Sequence, residues 1–320
     1  MCGFVGAYSK ELIGKNNIDL LSKMNKAISH RGPDNDGFFQ SKHYACAFSR
    51  LAIIDINERA NQPFSDPNNR YTLVYNGEIY NFVKLRLELK KKGMDFYTKS
   101  DTEVLLKSFM KWGFDCVKKF EGMFAFVIYD KKQNELYLFR DQLGIKPIYY
   151  AIINNIFYFS SELKTFKCIE SLSLNSSKLV EYATWGSILG EDTLFKGIKQ
   201  VEPGQYVVIN SYLKIKKNKY FDLKNTFTTS KKLIDLNNLE EQIKTNIISH
   251  TISDVSHGTQ LSGGLDSSFI TAVAALNQNK IDNKNLHTFS TSLLNKNMDE
   301  TKYQKIVSER YGTLHHNYLF

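Results

Sequence analysis

Cysteine is sparse and scattered in this chain: Cys2, Cys46, Cys116 and Cys168, with no C-x-x-C pair among them. That spacing argues against a disulfide framework and against the common zinc ligand sets, and it fits a reducing compartment. Long apolar runs are absent as well, and nothing approaches the roughly 20 residues a membrane-crossing helix needs. No basic-then-apolar leader precedes Cys2, so the reading from sequence is a cytoplasmic protein without a membrane partner. Repeats at solenoid periods and low-complexity tracts are lacking too. What remains is ordinary globular material, 42% hydrophobic and 23% charged over 320 residues, enough for about two domains.

A net charge of +9 raises the question of nucleic acid. Divided along the chain, residues 1–212 carry +5, residues 213–239 carry +5 and residues 240–320 carry −1. Over half of the excess therefore sits around Lys214, Lys216, Lys217 and Lys219. Lysines without arginine read as a solvated connector rather than a phosphate-reading face, and no nucleic-acid partner is expected.

The N-terminal stretch Met1-Cys2-Gly3-Phe4-Val5-Gly6 organises the rest. Loss of Met1 leaves Cys2 with a thiol and a free α-amine, a nucleophile and a base near neutral pH in one residue. The bland alternative is a second residue of no consequence, and only later residues decide between the two. Ile18, Leu21, Met24 and Ile28 fall at helical spacing, and the helix exits into the polar turn from His30 to Gly37. Ala45 to Ile56 is strand-like but interrupted by Arg50. That arginine either points out at a strand end or faces a pocket and awaits an anion.

Tyr71–Tyr75 and Ile79-Tyr80 flank Asn76-Gly77-Glu78, whose Asn-Gly pair is the signal of a hairpin turn. Asn81 reads as the N-cap of a helix that stops at Gly93, and Ser100-Asp101-Thr102-Glu103 as a capping box for the next. From Met123 the pattern changes to strand pairs, residues 124–129 with 136–139 and 148–153 with 156–159. Further on, Leu261-Ser262-Gly263-Gly264-Leu265-Asp266-Ser267-Ser268 runs into an apolar helix. A Gly-rich turn with serines ahead of a helix is the geometry in which backbone N–H groups cradle phosphate, although G-K-[ST] is missing. A strand over 286–291 and a helix over 299–311 follow. His315-His316 point different ways with no third ligand evident, so no metal site is assigned.

Taken in order, Cys2-Gly3, Arg31-Gly32-Pro33-Asp34, Arg50-Leu51, Asn76-Gly77-Glu78 and Ser100-Asp101 resemble the N-terminal-nucleophile glutaminase domain of class II amidotransferases. The runs Phe120–Phe126, Arg140–Pro147 and Phe159–Lys164 are similar to the glutamine-hydrolysing asparagine synthetase family, and Ser262–Ser268 to its ATP-pyrophosphatase loop. The resemblance implies an α+β, αββα four-layer sandwich over residues 1–212. It also implies a Lys-rich connector over 213–239 and the start of an α/β ATP-pyrophosphatase (adenine nucleotide α-hydrolase-like) domain over 240–320.

Roles follow from the resemblance. Cys2 would attack the glutamine amide, with Asn76 and Gly77 as oxyanion hole. Arg50 beside Leu51 would grip the α-carboxylate, and Asp101 with Glu78 nearby would hold the α-ammonium. Leu261, Ser262, Gly263, Gly264, Asp266, Ser267 and Ser268 would hold the pyrophosphate of ATP, supplied with Mg2+, while aspartate is adenylated. No prosthetic group is implied, and a homodimer is left open. The family's later adenylate- and acceptor-binding residues have no counterpart, so the synthetase half is expected to be incomplete. Two rival readings are an amidotransferase acting on another acceptor, such as a surface-sugar acid, and a non-catalytic glutamine-binding remnant.

Overall fold

The computed structural model describes residues 1–226, 235–282, 284–292, 294 and 299–319. The chain divides into two compact units, residues 1–228 and 229–320. In chain order the first holds β1 (Gly3–Ser9), α1 (Lys15–Ala27), β2 (Asn35–Gln40), β3 (Tyr44–Arg50), β4 (Phe64–Ser65) and β5 (Tyr71–Ile79). Then come α2 (Phe82–Lys91), α3 (Asp101–Trp112), β6 (Gly122–Asp130), β7 (Glu135–Arg140), β8 (Tyr149–Ile153) and β9 (Ile156–Ser160). It closes with α4 (Ser176–Trp185), β10 (Lys199–Gln200), β11 (Gln205–Ile209) and β12 (Ile215–Lys219).

Two six-stranded sheets form, in the orders β10-β8-β9-β1-β3-β2 and β12-β11-β7-β6-β5-β4. Strands β1, β3, β6 and β7 are buried almost throughout, because each sheet is covered on both faces. Phe4, Tyr8, Tyr44, Phe48, Val127, Leu138 and Phe159 fill the space between the sheets. Tyr44 stacks on Tyr129 there, with ring centroids 4.6 Å apart. Each such side chain contributes roughly 1.5–3 kcal/mol by leaving water. Leu21 and Met24 of α1 with Ile28 just beyond it cover the outer face of the first sheet, as their spacing predicts. Leu85 and Leu89 of α2 and Val104, Leu105 and Phe109 of α3 cover the second. The result is the αββα sandwich.

Three local expectations need correction. Asn76-Gly77-Glu78 is no turn: it lies inside β5, paired antiparallel with Ala125, Phe124 and Met123. Gly77 is there for space, since a Cβ would stand 2.2 Å from the Met123 carbonyl oxygen. Ser100 caps α3 by accepting from the Thr102 N–H at 3.1 Å, yet Glu103 does not close the box. Its carboxylate instead receives the N–H groups of Tyr97 and Thr98 and pairs with Lys107. The lysines at 214–219 are not a free connector either. Ile215–Lys219 is an edge strand on β11, where lysines discourage further strand addition. Of the expected connector, residues 227–234 lie outside the described residues.

The second unit holds α5 (Leu236–Ser249), β13 (Gly258–Gln260), α6 (Leu265–Asp282), β14 (His287–Ser292), α7 (Thr301–Tyr311) and β15 (Leu314–Leu319). Its sheet is parallel, in the order β13-β14-β15. The sequence reading gives the strand over 286–291 and misses β15, whose His-His-Asn-Tyr core carries little apolar signal. On it His316 Nε2 lies 2.9 Å from His287 Nδ1, and the two rings stack. Among the described residues no helix is long and apolar enough to cross a membrane.

Candidate active site

Strand β1 lies between β3 and β9, and its first hydrogen bonds hold Cys2 in place. The Phe4 N–H donates to Ser161 Oγ at 3.1 Å, and the Ser161 N–H returns to the Phe4 carbonyl at 2.9 Å. Arg31 Nε donates to the Cys2 carbonyl at 2.9 Å while its Nη1 is anchored on Glu162, also at 2.9 Å. Gly32 lets this segment lie against β3, because a Cβ there would stand 2.3 Å from the Ser49 backbone. Asp34 then accepts the Ala52 N–H at 2.8 Å and fixes the chain just past Arg50. The Arg-Gly-Pro-Asp run is thus a clamp on the residues beside the thiol.

Cys2 Sγ sits against Leu51, accepting its N–H at 3.4 Å and lying 3.5 Å from its carbonyl oxygen. It opens on a cavity of about 140 Å3 lined by Arg50, Leu51, Asn76, Gly77, Glu78 and Asp101. The structure therefore brings together Cys2 and the residues expected to hold glutamine, Arg50, Leu51, Asn76, Gly77, Glu78 and Asp101. Gln62, Tyr75, Ser100, Thr102, Met123 and Lys146 line it too, and sequence reasoning gave none of them a role in holding glutamine. Lys146 and Glu162 stand in runs noted for resemblance alone.

Charge in this cavity is arranged by sign. Arg50 is buried, and its guanidinium is held by uncharged acceptors: the carbonyls of Ile54, Asp55 and Asn57, and Asn61 Oδ1 at 2.6 Å. Its position is fixed while its charge stays available to an anion, so the pocket-facing alternative holds. Asp101 accepts from Tyr75 Oη at 2.8 Å and from the Ile79 N–H at 3.1 Å. Burial pushes its carboxyl up despite those bonds. Glu78 is pushed up to about 6, by burial first and then by Asp101. Burial also raises the Cys2 thiol, against the pull of the Leu51 N–H, the N-terminal amine and Arg50. Burial lowers the Met1 amine, with Arg31 and Lys146 adding to it against the thiol.

One donor stands apart. Asn76 is buried in β5, and its Nδ2 has no hydrogen-bond partner among the described residues. A buried amide N–H left unpaired costs about 1–3 kcal/mol, which is tolerated where function uses the donor.

In the second unit, residues 261–264 leave the carboxyl end of β13 and enter α6. Leu261 is buried, its N–H donating to the Phe289 carbonyl at 2.9 Å. Ser262 Oγ and Ser267 Oγ lie 2.9 Å apart, and the Gly264 N–H donates to Ser262 Oγ at 3.3 Å. Gly263 has a φ of +93°, Asp266 stands in the first turn of the helix, and the Ser268 N–H makes its first bond, to the Gly264 carbonyl. A turn at the carboxyl edge of a parallel sheet, feeding an 18-residue helix, suits a phosphate group.

Two sheets between helices, with a cysteine at the head of a central strand, define the N-terminal-nucleophile class. The sequence model of the glutamine amidotransferase domain matches residues 1–221, and that of asparagine synthase matches residues 238–320. The chain belongs to the glutamine-hydrolysing asparagine synthetase family. Asparagine synthetase (glutamine-hydrolysing) 1 of Bacillus subtilis is 38% identical over 317 residues, covering 98% of this chain and 49% of its own. Asparagine synthetase 3 of the same organism is 34% identical, covering 99% and 54%. Asparagine synthetase B of Escherichia coli is 30% identical, covering 100% and 54%. The chain thus spans about half the length of these relatives. Among solved structures, the glutamine phosphoribosylpyrophosphate amidotransferase of B. subtilis superposes with a TM-score of 0.51 at 18% identity. It covers 99% of this chain and 65% of that one, a likeness of fold.

Proposed function

We propose that this chain hydrolyses glutamine at Cys2 and that the ammonia serves ATP-dependent amidation of an adenylated carboxylate, aspartate to asparagine. The observation that carries the reading is the unpaired Asn76 Nδ2 in the cavity that holds the Cys2 thiol. With Met1 removed, the α-amine of Cys2 takes the thiol proton, and Sγ attacks the side-chain amide carbon of glutamine. Asn76 Nδ2 and the Gly77 N–H receive the oxyanion. The α-amine passes its proton to the departing ammonia, leaving a γ-glutamyl thioester that water cleaves to glutamate. Arg50 holds the α-carboxylate, and Glu78 and Asp101 the α-ammonium. The cavity's two signs of charge support that orientation.

The glutaminase is assigned to the first compact unit and ATP binding to residues 240–320. There Ser262, Gly263, Gly264, Asp266, Ser267 and Ser268 would hold the pyrophosphate of MgATP, with Leu261 as the buried floor. Adenylation activates the acceptor carboxylate, and ammonia displaces AMP. The work belongs to the cytoplasm, with glutamine, ATP and aspartate as small-molecule partners.

The test is glutamate release from glutamine by the purified chain and by Cys2→Ala. Release by the first and its loss in the second, with binding of glutamine retained, supports the reading. Substantial release by Cys2→Ala overturns it.

A further inference from the structure

The run Arg140–Pro147 builds one feature that the proposed glutaminase chemistry leaves unused. Asp141 gathers the N–H groups of Phe124, Leu143, Ile145 and Lys146 at 2.9–3.1 Å. Arg140 Nε donates to the Lys146 carbonyl at 3.0 Å. This frame fixes the backbone of Lys146 and sends its side chain into the cavity, where the residue is only 5% exposed. Its Nζ lies 3.3 Å from the thioether of Met1. In a processed chain that thioether is gone. The sulfur marks space that becomes open to the new α-amine of Cys2 and to bound glutamine.

Resting on the reading of Cys2 as an N-terminal nucleophile, we propose that Lys146 is a positioning residue whose charge keeps the Cys2 α-amine unprotonated and Glu78 ionised. A buried ammonium beside an α-amine disfavours a second positive charge, so the amine stays a base at neutral pH. The same charge stabilises the Glu78 carboxylate across the cavity, where it is available to a glutamine ammonium. Four other charged groups face this corner. Arg31 comes from the turn before β2, with Glu162 behind it, and Arg50 from the end of β3. Asp101 comes from the start of α3, and Asp141 from the same loop as Lys146. Arg31 and Arg50 are committed to carbonyl oxygens. Of the two cations that touch the Met1 thioether, Lys146 Nζ is the nearer, at 3.3 Å against 4.0 Å for Arg31 Nη2. With Met1 in place, Lys146 follows burial and Arg31 among the causes that lower the Met1 amine, and Glu78 opposes the fall that burial imposes on Lys146.

The experiment uses the full chain with Met1 removal verified by mass. Glutaminase kcat/KM is measured across the pH range bracketing the ordinary α-amine value of 8.0, for wild type, Lys146→Met and Lys146→Arg. Lys146→Met should move the acid limb up by about one pH unit, a loss of roughly tenfold below it, and Lys146→Arg should restore the wild-type limb. Superimposable limbs for wild type and Lys146→Met overturn the proposal, as does an equal shift in Lys146→Arg. A second measurement follows acylation of the α-amine against pH in the Cys2→Ala background, with and without Lys146→Met. It needs no activity, so it separates failure of this inference from failure of the nucleophile assignment. The amine should titrate below 8.0 with Lys146 present and higher without it. Should Lys146→Met fail to fold, an amine at or above 8.0 in the Lys146-containing chain still refutes the role.

Discussion

Replacing Asn76 by alanine removes a donor that the resting structure leaves unused. The residue is 1% exposed, held in register opposite Ala125, and its Nδ2 has no partner among the described residues. Nothing in the fold leans on that N–H, and deleting it also deletes an unpaired buried group worth about 1–3 kcal/mol of penalty. That gain offsets much of the small void left by the shorter side chain, so global stability should stay within about 1 kcal/mol of wild type. Catalysis should behave otherwise. Removing one oxyanion donor costs about 2.7–4 kcal/mol in the transition state, a fall of roughly 10²–10³ in kcat. The KM for glutamine should hold within a few-fold, because the neutral amide oxygen gains little from the donor before attack. Glutamate release under saturating glutamine, read beside a thermal melt, tests both halves. A kcat within about threefold of wild type would falsify the oxyanion assignment, and a kcat loss matched by a collapsed melt would reduce it to a folding effect.

Three further outcomes are expected. Intact mass of active protein should show one methionine missing, since Met1 would block the amine that serves as base; an active sample that fully retains Met1 contradicts the mechanism. Arg50→Ala should raise the glutamine KM roughly 10–100-fold with a smaller change in kcat, because a carboxylate clamp acts in ground and transition states alike; a fall confined to kcat argues against it. Glutamine binding should weaken as pH drops through about 6, where Glu78 gains a proton and stops holding an ammonium. The same proton favours the fold: between the ordinary 4.5 and about 6 the native chain holds what the unfolded chain has released, so this group's contribution to stability rises as pH falls. Isothermal titration of Cys2→Ala with glutamine against pH checks the first, and Glu78→Gln should flatten the curve.

How far the molecule can be read from its residues depends on whether a motif is local. Helix α1, the hairpins after Met123 and the phosphate-type turn at 262–268 follow from spacing and glycine placement. Cys2, Arg50, Asn76 and Asp101 can be gathered because each carries a short signature. Their meeting in one cavity is a property of sheet register, which those signatures do not state. Asn-Gly misleads: it favours a turn in isolation, yet pairing with Ala125 and Phe124 keeps the chain extended. Lysines 214–219 mislead in the same way, since an edge strand and a solvated linker share a composition. Glu103 is spaced to close a capping box but finds the N–H groups of Tyr97 and Thr98, brought by a loop no local rule predicts. Lys146 is illegible for a deeper reason. Its reach into the cavity depends on Asp141 and on β6, and a surface lysine would look the same in sequence.

Placing the nucleophile at the head of β1 also sets a clock. That strand precedes both of its neighbours, β3 and β9, in the chain, and Phe4 is tied to Ser161 by hydrogen bonds in both directions. Until residues 156–161 have left the ribosome, β1 has one bare edge and Cys2 has no fixed direction. On the proposed reading, a nascent chain should not hydrolyse glutamine before nearly all of the first unit can close, and an arrested chain shorter than that should carry the cysteine without the chemistry.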